Sequence, residues 1–275
     1  MKIFHFLKRF SYHPFIRSMI RIFGFSPIIR KWYCRSVWPK DNILDLECGG
    51  IKMKFYVRTN DDLRTLEFDV FKEQRIIKCI ISFLNPGDIF YDVGAYVGLY
   101  TIPLAKIVGN RGWVIAFEPS KQSYERLQEN LNLNALNNVR LFCLALGNKN
   151  GVSKLFIGNI PISSSLVYSS AFKQNYQIVK VFKGDDLKEK ENLPSPRAVK
   201  IDVEGYEYEV IQGLHRTLLS PSCELVCCEI HPQFLPEKIK PEMVLNLLKS
   251  MGFNHIKIFK SFARTEYHAL CYKTK

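Results

Sequence analysis

Two glycines follow a short apolar run in the segment Asp92–Gly98, which reads D-V-G-A-Y-V-G. Gly94 and Gly98 permit a tight turn and a close approach of the backbone to a ligand. A helix that begins here would present free N–H groups to the same ligand. The spacing is D-x-G-x-x-x-G, because Tyr96 stands where the second glycine of the dinucleotide pattern G-x-G-x-x-G would be. The segment therefore predicts a ligand-binding loop and disfavours a nicotinamide-dependent oxidoreductase.

An acidic residue lies at the distance that ribose recognition requires. Glu118 comes 20 residues after Gly98 and directly follows the apolar run Trp113–Phe117. A carboxylate that closes the second strand of a parallel sheet can accept hydrogen bonds from both hydroxyls of an unmodified ribose. The alternative is an ordinary carboxylate at the start of a helix, stabilised by the helix dipole. We favour ribose binding, because the strand, the glycine loop and the acid fall in register.

A pair of acids, Asp202 and Glu204, lies within residues 199–207, which read V-K-I-D-V-E-G-Y-E. Side chains alternate along a strand, so Lys200, Asp202 and Glu204 are expected on one face. This strand is expected beside the strand that precedes Gly94. Asp202 and Glu204 would then open into the same cleft as Gly94. Two acids there could bind a cation, hold an ammonium group or take a proton. The alternative is a solvated acidic strand end.

The elements that position these residues alternate between strand and helix patterns from Asp88 onward, as in an α/β protein built from βαβ units. The final runs Ile256–Phe259 and Glu266–Tyr272 could pair as a hairpin. The expected parallel strands cover residues 89–93, 113–117, 139–144, 198–202 and 224–229.

We predict three segments along the chain. Residues 1–40 form a basic N-terminal arm, residues 41–84 an extension made of a hairpin around Gly49 and Gly50 and a helix, and residues 85–275 the ligand-binding domain. Two further strand-like runs, after the third strand of that domain, enclose a serine-rich stretch of about 20 residues, longer than compact domains usually hold without a purpose. It is either a lid that faces the substrate or a disordered surface insertion.

Four segments together resemble the FkbM-type family of S-adenosylmethionine-dependent methyltransferases. They are Asp92–Thr101, Glu118–Ser120, Leu144–Asn148 and the K-I-D-V-E-G element, Lys200–Gly205. The resemblance implies a class I, Rossmann-like, seven-stranded and mostly parallel sheet. It also implies methyl transfer, usually to a hydroxyl of a sugar, a polyketide or another small metabolite. One departure is Tyr96, where the family usually has asparagine.

The same resemblance implies which residues hold S-adenosylmethionine. Asp92, Gly94 and Gly98 would surround the methionine end and Glu118 the ribose, whereas Ala145 and Leu146 would border the adenine. The other matched positions that we include as cofactor-binding residues are Ala95, Thr101, Pro119, Ser120 and Asp202.

An alcohol that accepts a methyl group must lose its proton, which favours a nearby general base. The candidates are Asp202, Glu204 and His231, the last of which follows the fifth strand. Asp202 could instead hold the methionine ammonium and leave Glu204 or His231 as the base. A lone histidine in a loop is more often structural. These residues and Glu229 show no diagnostic ligand spacing, so no metal is predicted.

Charge and composition set the remaining expectations. Of 275 residues, 47% are hydrophobic and 24% are charged, ordinary globular values that exclude disordered, collagenous and coiled-coil chains. No uncharged apolar run approaches the roughly 18 residues of a membrane span. Lys8 and Arg9 interrupt any apolar region after Met1, which disfavours a secretory signal. Eight cysteines without a C-x-x-C pair favour reduced thiols and a cytoplasmic location.

The net charge of +13 is concentrated in residues 1–40, which carry nine Lys or Arg and no acid. Within them, Pro14 and Gly24 suit the two ends of a short amphipathic helix. Such a helix could dock on the body or lie peripherally on an anionic inner membrane face. Nucleic acid is the weaker partner, because the basic residues are confined to the arm.

These features predict an O-methyltransferase that acts on a hydroxyl of a sugar, glycan or other small metabolite and binds S-adenosylmethionine saturably. An RNA methyltransferase that uses the basic arm is the alternative, and it predicts salt-sensitive RNA affinity lost without residues 1–40. A non-catalytic, membrane-associated binding module is a further alternative, against which the cofactor residues argue.

Overall fold

The computed structural model describes residues 38–158, 164–168, 172–260 and 265–273. The helix expected within the basic arm lies outside the described residues. Of the described residues, 38–44 and 56–68 form a small compact unit, whereas 45–55 and the residues from 69 onward form a large one. The three predicted segments stay a prediction.

A 3₁₀-helix over Lys40–Asn42 precedes the expected hairpin, in which β1 (Ile43–Cys48) pairs with β2 (Ile51–Tyr56). Helix α1 follows and runs over Asn60–Phe83. A reciprocal capping box starts it: the Thr59 N–H donates to Asp62 Oδ2, and the Asp62 N–H donates to Thr59 Oγ1, both at 3.1 Å. This cap stabilises the first turn of the helix, which begins at Asn60.

The elements of the large unit alternate as predicted. In chain order they are β3 (Ile89–Val93), α2 (Thr101–Val108), β4 (Trp113–Phe117), α3 (Lys121–Leu133), β5 (Val139–Phe142), β6 (Ala145–Gly147), β7 (Gly151–Gly158), β8 (Ser164–Ser165) and β9 (Phe172–Lys183). They continue with α4 (Gly184–Lys190), β10 (Ala198–Ile201), α5 (Glu207–Gly213), α6 (His215–Leu219), β11 (Leu225–Ile230), α7 (Pro241–Ser250), β12 (His255–Lys260) and β13 (Tyr267–Tyr272).

Seven of these strands form one sheet in the order β12-β13-β11-β10-β3-β4-β5. The pairs from β11 to β5 are parallel, and β13 runs antiparallel to both of its neighbours. The predicted α/β fold, a seven-stranded mostly parallel sheet with a C-terminal antiparallel hairpin, is confirmed. Strands β10 and β11 are buried along their whole length, as expected of parallel strands covered on both faces.

The chain order reverses beside β3, because β4 lies on one side of it and β10 on the other. In open α/β sheets such a switch point leaves a crevice beyond the carboxyl ends of the strands. The structure therefore brings the ends of β3, β4 and β10 to one place. The predicted strand over residues 198–202 is one residue too long, since β10 ends at Ile201 and Asp202 lies just beyond the strand.

A second sheet of four strands has the order β6-β9-β7-β8. Its long strands β7 and β9 are antiparallel and correspond to the two strand-like runs that enclose the serine-rich stretch. The described part of that stretch is residues 164–168.

Two short helices separate β10 from β11. Helix α5 ends at Gly213 and α6 begins at His215. A Cβ on Gly213 would lie 1.7 Å from the Gly147 carbonyl oxygen, so the chain at this point packs backbone against backbone. No helix in the described part of the chain is long and apolar enough to cross a membrane.

Candidate active site

A cavity of about 580 Å³ lies at the carboxyl ends of the central strands, within the size range of small-molecule sites. The predicted residues that line it are Gly94, Ala95, Glu118, Pro119, Ala145, Leu146, Asp202, Glu204 and His231. Four predicted residues do not line it: Asp92, Gly98, Thr101 and Ser120. The structure therefore brings the candidate bases and the predicted ribose carboxylate to one cavity, whereas the other four residues do not belong to its lining.

The glycine loop lies directly against the end of β10. Gly94 has φ of +82°, and a Cβ at this position would lie 1.8 Å from the carbonyl oxygen of Asp202. The N–H groups of Gly94 and Ala95 both donate to the carbonyl of Phe117, at 3.0 and 3.1 Å. Only glycine fits at position 94, because a side chain would need the space that the Asp202 backbone occupies.

Gly98 has a different neighbour. Its φ is +102°, and an added Cβ would lie 2.6 Å from Cδ1 of Leu127 on helix α3. This glycine therefore permits close packing between the loop and α3 and does not itself face the cavity.

Asp92, the last but one residue of β3, stabilises the glycine loop through buried contacts. It is fully buried, and its Oδ2 accepts a hydrogen bond of 2.6 Å from the Thr101 hydroxyl. Its Oδ1 lies 3.7 Å from Nζ of Lys200. Burial raises the pKa of Asp92, because the charged form loses its hydration. Asp92 and Thr101 thus position the loop and the start of α2.

Lys200 connects the loop to the acids beyond β10. Its Nζ donates to the Gly94 carbonyl at 3.1 Å and lies 3.1 Å from Asp202 Oδ2. Burial would lower the pKa of this ammonium, but the charges of Asp202 and Asp92 outweigh burial and hold it above its ordinary value. The side chain is buried and permanently charged, so it compensates the two carboxylates.

Glu118 ends in the cavity wall with both carboxylate oxygens engaged. Oε2 accepts the Tyr96 N–H at 2.8 Å, and Oε1 accepts the Ser120 N–H at 2.9 Å. Burial raises the pKa of Glu118 to about 7, although these two backbone donors oppose the shift. Each oxygen retains a further lone pair, so the carboxylate could accept hydrogen bonds from a pair of ligand hydroxyls. Tyr96 has φ of +48°, an uncommon conformation for a non-glycine residue.

Four ionisable residues, three acids and one histidine, lie close together on the other side of the cavity. His231 Nδ1 lies 2.7 Å from Glu207 Oε1, and its Nε2 lies 3.8 Å from Asp202 Oδ1 and 3.9 Å from Glu204 Oε2. Burial would lower the pKa of His231, but the hydrogen bond and charge of Glu207, helped by Glu204 and Asp202, raise it to about 10. His231 is therefore a charged donor at neutral pH.

Glu204 has the ionisation expected of a general base. Burial raises its pKa to about 7, against the opposing charge of His231. Its backbone has φ of +53°, and its carbonyl accepts a hydrogen bond of 2.5 Å from the Ser165 hydroxyl. Strained conformations of this kind persist where the surroundings hold them. Ser165 belongs to the serine-rich stretch, and its neighbours Ser164 and Leu166 line the cavity. The described part of that stretch thus contacts the site, as a lid would.

A second polar cluster borders the cavity from helix α1 and the ends of β11 and β13. Lys72 Nζ lies 3.1 Å from Glu73 Oε1 and 2.9 Å from Glu229 Oε1. His268 Nε2 lies 2.8 Å from Glu73 Oε2 and 3.3 Å from Glu229 Oε2. The Tyr100 hydroxyl also donates to Glu73, at 2.7 Å. Two cations thus compensate two buried carboxylates.

Sequence reasoning missed Glu207, Lys72, Glu73 and His268. A signal for two of them exists in the helical spacing. Glu207 occupies the same helix face as Val210 and Ile211, and Glu73 the same face as Ile76 and Ile77, all of them buried. An acid within an apolar helix face indicates a buried carboxylate that has a partner.

Two sets of potential metal ligands lie within 4.8 Å: Glu73 with Glu229 and His268, and Asp202 with Glu229 and His231. In the first set, the Lys72 ammonium already lies between the two carboxylates. In the second, the raised pKa of His231 keeps its imidazole protonated, whereas a metal ligand must be deprotonated. The absence of a metal stays a prediction.

A family model for the methyltransferase FkbM domain matches residues 92–254, more than half of the chain. The chain belongs to this family. The expected family is therefore confirmed, and the protein is an S-adenosylmethionine-dependent methyltransferase. The matched region contains every predicted site residue, and the glycine loop with the buried Glu118 carboxylate fits a nucleoside cofactor.

This FkbM methyltransferase is similar to hexuronic acid methyltransferase AglP of Haloferax volcanii, with 26% identity over 77% of this chain and 84% of that protein. It is also similar to methyltransferase 1 of Beauveria bassiana, with 27% identity over 67% of this chain and 80% of that protein. Among solved structures, an rRNA methylase of Streptococcus thermophilus has 12% identity and a TM-score of 0.46 over 74% of this chain and 96% of that chain.

Proposed function

We propose that this methyltransferase transfers a methyl group to a hydroxyl of a sugar, a glycan or another small hydroxylated metabolite. The observation that carries the proposal is the position of Glu204, whose carboxyl lines the cavity with a pKa raised to about 7. A hydroxyl acceptor needs a general base, and a base works best when its pKa lies near the working pH. The similar protein of Haloferax volcanii is named as a hexuronic acid methyltransferase, which supports a sugar as the acceptor.

Two regions of the cavity would divide the ligands between them. S-adenosylmethionine supplies a methyl group on a positively charged sulfur. The residues that would hold it lie around the ends of β3 and β4 and at β6: the glycine loop at the methionine end, Glu118 at the ribose, and Ala145 and Leu146 beside the adenine. Asp202, which pairs with Lys200 at 3.1 Å, would accept a hydrogen bond from the methionine ammonium. The acceptor would occupy the side bordered by Glu204 and His231.

We assign the base role to Glu204 rather than His231. The imidazole of His231 is charged at neutral pH, because the hydrogen bond to Glu207 and the charge of Glu207 raise its pKa. A charged imidazole has no free lone pair and therefore accepts no further proton. Glu204 would take the proton of the acceptor hydroxyl as the new carbon–oxygen bond forms. Before the reaction, the positive charge of the nearby His231 would favour the ionised form of Glu204 and orient its carboxylate. Positioning of the hydroxyl by the cavity walls supplies much of the remaining rate enhancement.

A methyl-transfer screen tests the proposal. Purified protein and labelled S-adenosylmethionine are incubated with free sugars, glycans and small hydroxylated metabolites, and label in the acceptor is measured. Glu118→Ala serves as the control with impaired cofactor binding. We expect turnover with a hydroxylated acceptor by the wild-type protein only. Turnover confined to RNA, or to amine acceptors, would contradict the proposal.

A further inference from the structure

The outer face of the β7–β9 pair combines exposed apolar and basic side chains. Direct cross-strand partners point to the same side of a sheet, and three such pairs define this outer face: Val152 with Lys180, Lys154 with Ile178, and Phe156 with Tyr176. Val152 is 72% exposed, Ile178 is 62% exposed and Tyr176 is 48% exposed. Aliphatic side chains this exposed, side by side in one sheet, indicate a surface that is covered in use.

Aromatic rings continue this surface toward the serine-rich stretch. Phe156 packs edge-on against Tyr168 at 5.4 Å and against Tyr176 at 6.2 Å between ring centroids. Tyr168 is itself 65% exposed. Lys154 Nζ lies over the Tyr176 ring, 4.2 Å from its centroid. Tyrosine is enriched where proteins meet a bilayer, because its ring lies at the level of the lipid headgroups.

The charged side chains in the part of the chain that contains β7 and β9 are all positive. Between Glu129 and Asp185 the sequence contains no Asp or Glu, but it contains one arginine and five lysines. Two of these lysines, Lys154 and Lys180, belong to the outer face itself. An acid-free basic segment attracts anionic surfaces, and lysines near an anionic bilayer each strengthen binding.

The opposite face of the same strands belongs to the cavity side. Leu155, which lies between Lys154 and Phe156 and points the other way, lines the cavity and is 2% exposed. Ser164 and Leu166, in the described part of the serine-rich stretch, also line the cavity. The outer face is therefore the reverse side of the same sheet that forms part of the cavity wall.

We propose that the outer face of the β7–β9 pair docks on an anionic lipid surface and brings the cavity to acceptors held at a membrane. The lysines contact lipid headgroups, the tyrosines lie at headgroup depth, and Val152 and Ile178 enter the acyl boundary. Lipid fits this face better than nucleic acid does, because phosphate contacts would use the lysines and leave the two aliphatic side chains in water. It fits better than a second copy of the chain, because two identical basic faces repel each other.

Vesicle sedimentation with the full chain tests the docking surface. The vesicles contain phosphatidylcholine alone or phosphatidylcholine with phosphatidylglycerol. One variant carries Val152→Ser with Ile178→Ser, and another carries Lys154→Gln with Lys180→Gln. A matched control carries Lys257→Gln with Ile258→Ser on β12, where Ile258 is 40% exposed. Saturable S-adenosylmethionine binding by every variant shows that each is folded.

We expect the wild-type protein and the control to sediment with the anionic vesicles, and each outer-face variant to bind about tenfold more weakly. Recovery of the outer-face variants equal to that of the control overturns the proposal, and so does a wild-type protein that ignores anionic vesicles. A labelled RNA oligonucleotide and sedimentation equilibrium provide two further measurements. Loss of RNA binding, or of self-association, by the outer-face variants with vesicle binding intact would assign the surface to one of those partners instead.

Discussion

Oε1 of Glu207 lies 2.7 Å from Nδ1 of His231 and also accepts the N–H of Gly205 at 2.9 Å. One fully buried carboxylate thus fixes both the histidine ring and the turn that follows Glu204. The relationship explains how a histidine in a loop faces the cavity with only one of its two nitrogens. It also links the ionisation of His231 to the geometry of the proposed base.

Glu207→Gln is expected to lower the pKa of His231 from about 10 toward its ordinary value, because the amide keeps a hydrogen-bonding group but removes the negative charge. Titration of the ring by NMR measures the change. We expect kcat to fall while the affinity for S-adenosylmethionine is kept, since Glu207 does not line the cavity. Glu237→Gln, at an exposed position, is the control. An unchanged His231 titration would contradict the coupling.

The same pairing predicts how stability depends on pH. The folded-state pKa of His231 is raised, so its charged form stabilises the fold fully below about pH 6.5, and this stabilisation is lost as pH rises through about 10. His231→Gln is therefore expected to lose more unfolding free energy, relative to the wild type, at pH 6 than at pH 10. Urea denaturation at both pH values measures it. A difference that grows with pH would have the wrong sign.

Glu204→Gln tests the assignment of the base. Loss of a general base typically lowers kcat by about 10² to 10⁴-fold, and the wild-type rise in kcat/KM with pH, centred near 7, should disappear. Cofactor affinity should stay within about twofold, because the proposed cofactor contacts lie elsewhere. The profile is measured with whichever acceptor the screen identifies. A variant with full kcat and an unchanged pH profile would assign the base to another group.

Glu118→Gln separates cofactor binding from chemistry. The amide retains the size of the side chain but loses the charge of the acceptor, and hydrogen bonds to a charged group are worth about 1.5 to 3 kcal/mol. Calorimetry should show S-adenosylmethionine affinity weakened about tenfold to a hundredfold. For the wild type, affinity should fall as pH drops through about 7, where Glu118 becomes protonated. Glu125→Gln, exposed on α3, is the control that should bind normally.

Sequence patterns were sufficient for the parts of the fold whose signals are local. The apolar runs predicted β3 and β4 with the observed bounds, and the glycine spacing predicted the loop between β3 and α2. Burial along α1 does not follow residue type alone, since Phe71 is 59% exposed whereas Ile77 and Ile80 are fully buried. A helix face is decided by what packs against it, and its partners are distant in sequence.

The candidate site could be predicted only where its residues follow strand ends. Glu118, Asp202 and His231 each come directly after a strand, so topology alone brings them together. Lys72 reaches Glu229 across 157 positions of the chain, and no local pattern contains that pairing. Long-range ion pairs of this kind become visible only when the tertiary contacts are known.

Removal of divalent cations is expected to leave the activity unchanged. The Lys72 ammonium lies between Glu73 and Glu229, and His231 carries a proton that a metal would have to displace. Dialysis against a chelator, followed by assay with and without added magnesium, manganese or zinc, measures the effect. A rate that vanishes after dialysis and returns with one of these ions would show that a metal displaces these charges.

Gly94→Ala is expected to abolish S-adenosylmethionine binding for a steric reason. Its Cβ would lie 1.8 Å from the Asp202 carbonyl oxygen, so the loop or the end of β10 must move. Gly50 provides a close control, because it has the same φ of +82° and an added Cβ would meet nothing within 4 Å. Both substitutions introduce backbone strain of about 1 to 3 kcal/mol, which lowers the melting temperature of each variant.

Only Gly94→Ala adds the collision with Asp202. We therefore expect a larger fall in melting temperature for this variant and no saturable cofactor binding by calorimetry, whereas Gly50→Ala should bind with wild-type affinity. If both variants bound equally well, the close packing of the loop on the Asp202 backbone would have no role in the cofactor site. If both lost binding, strain at positive φ and not the collision would be responsible.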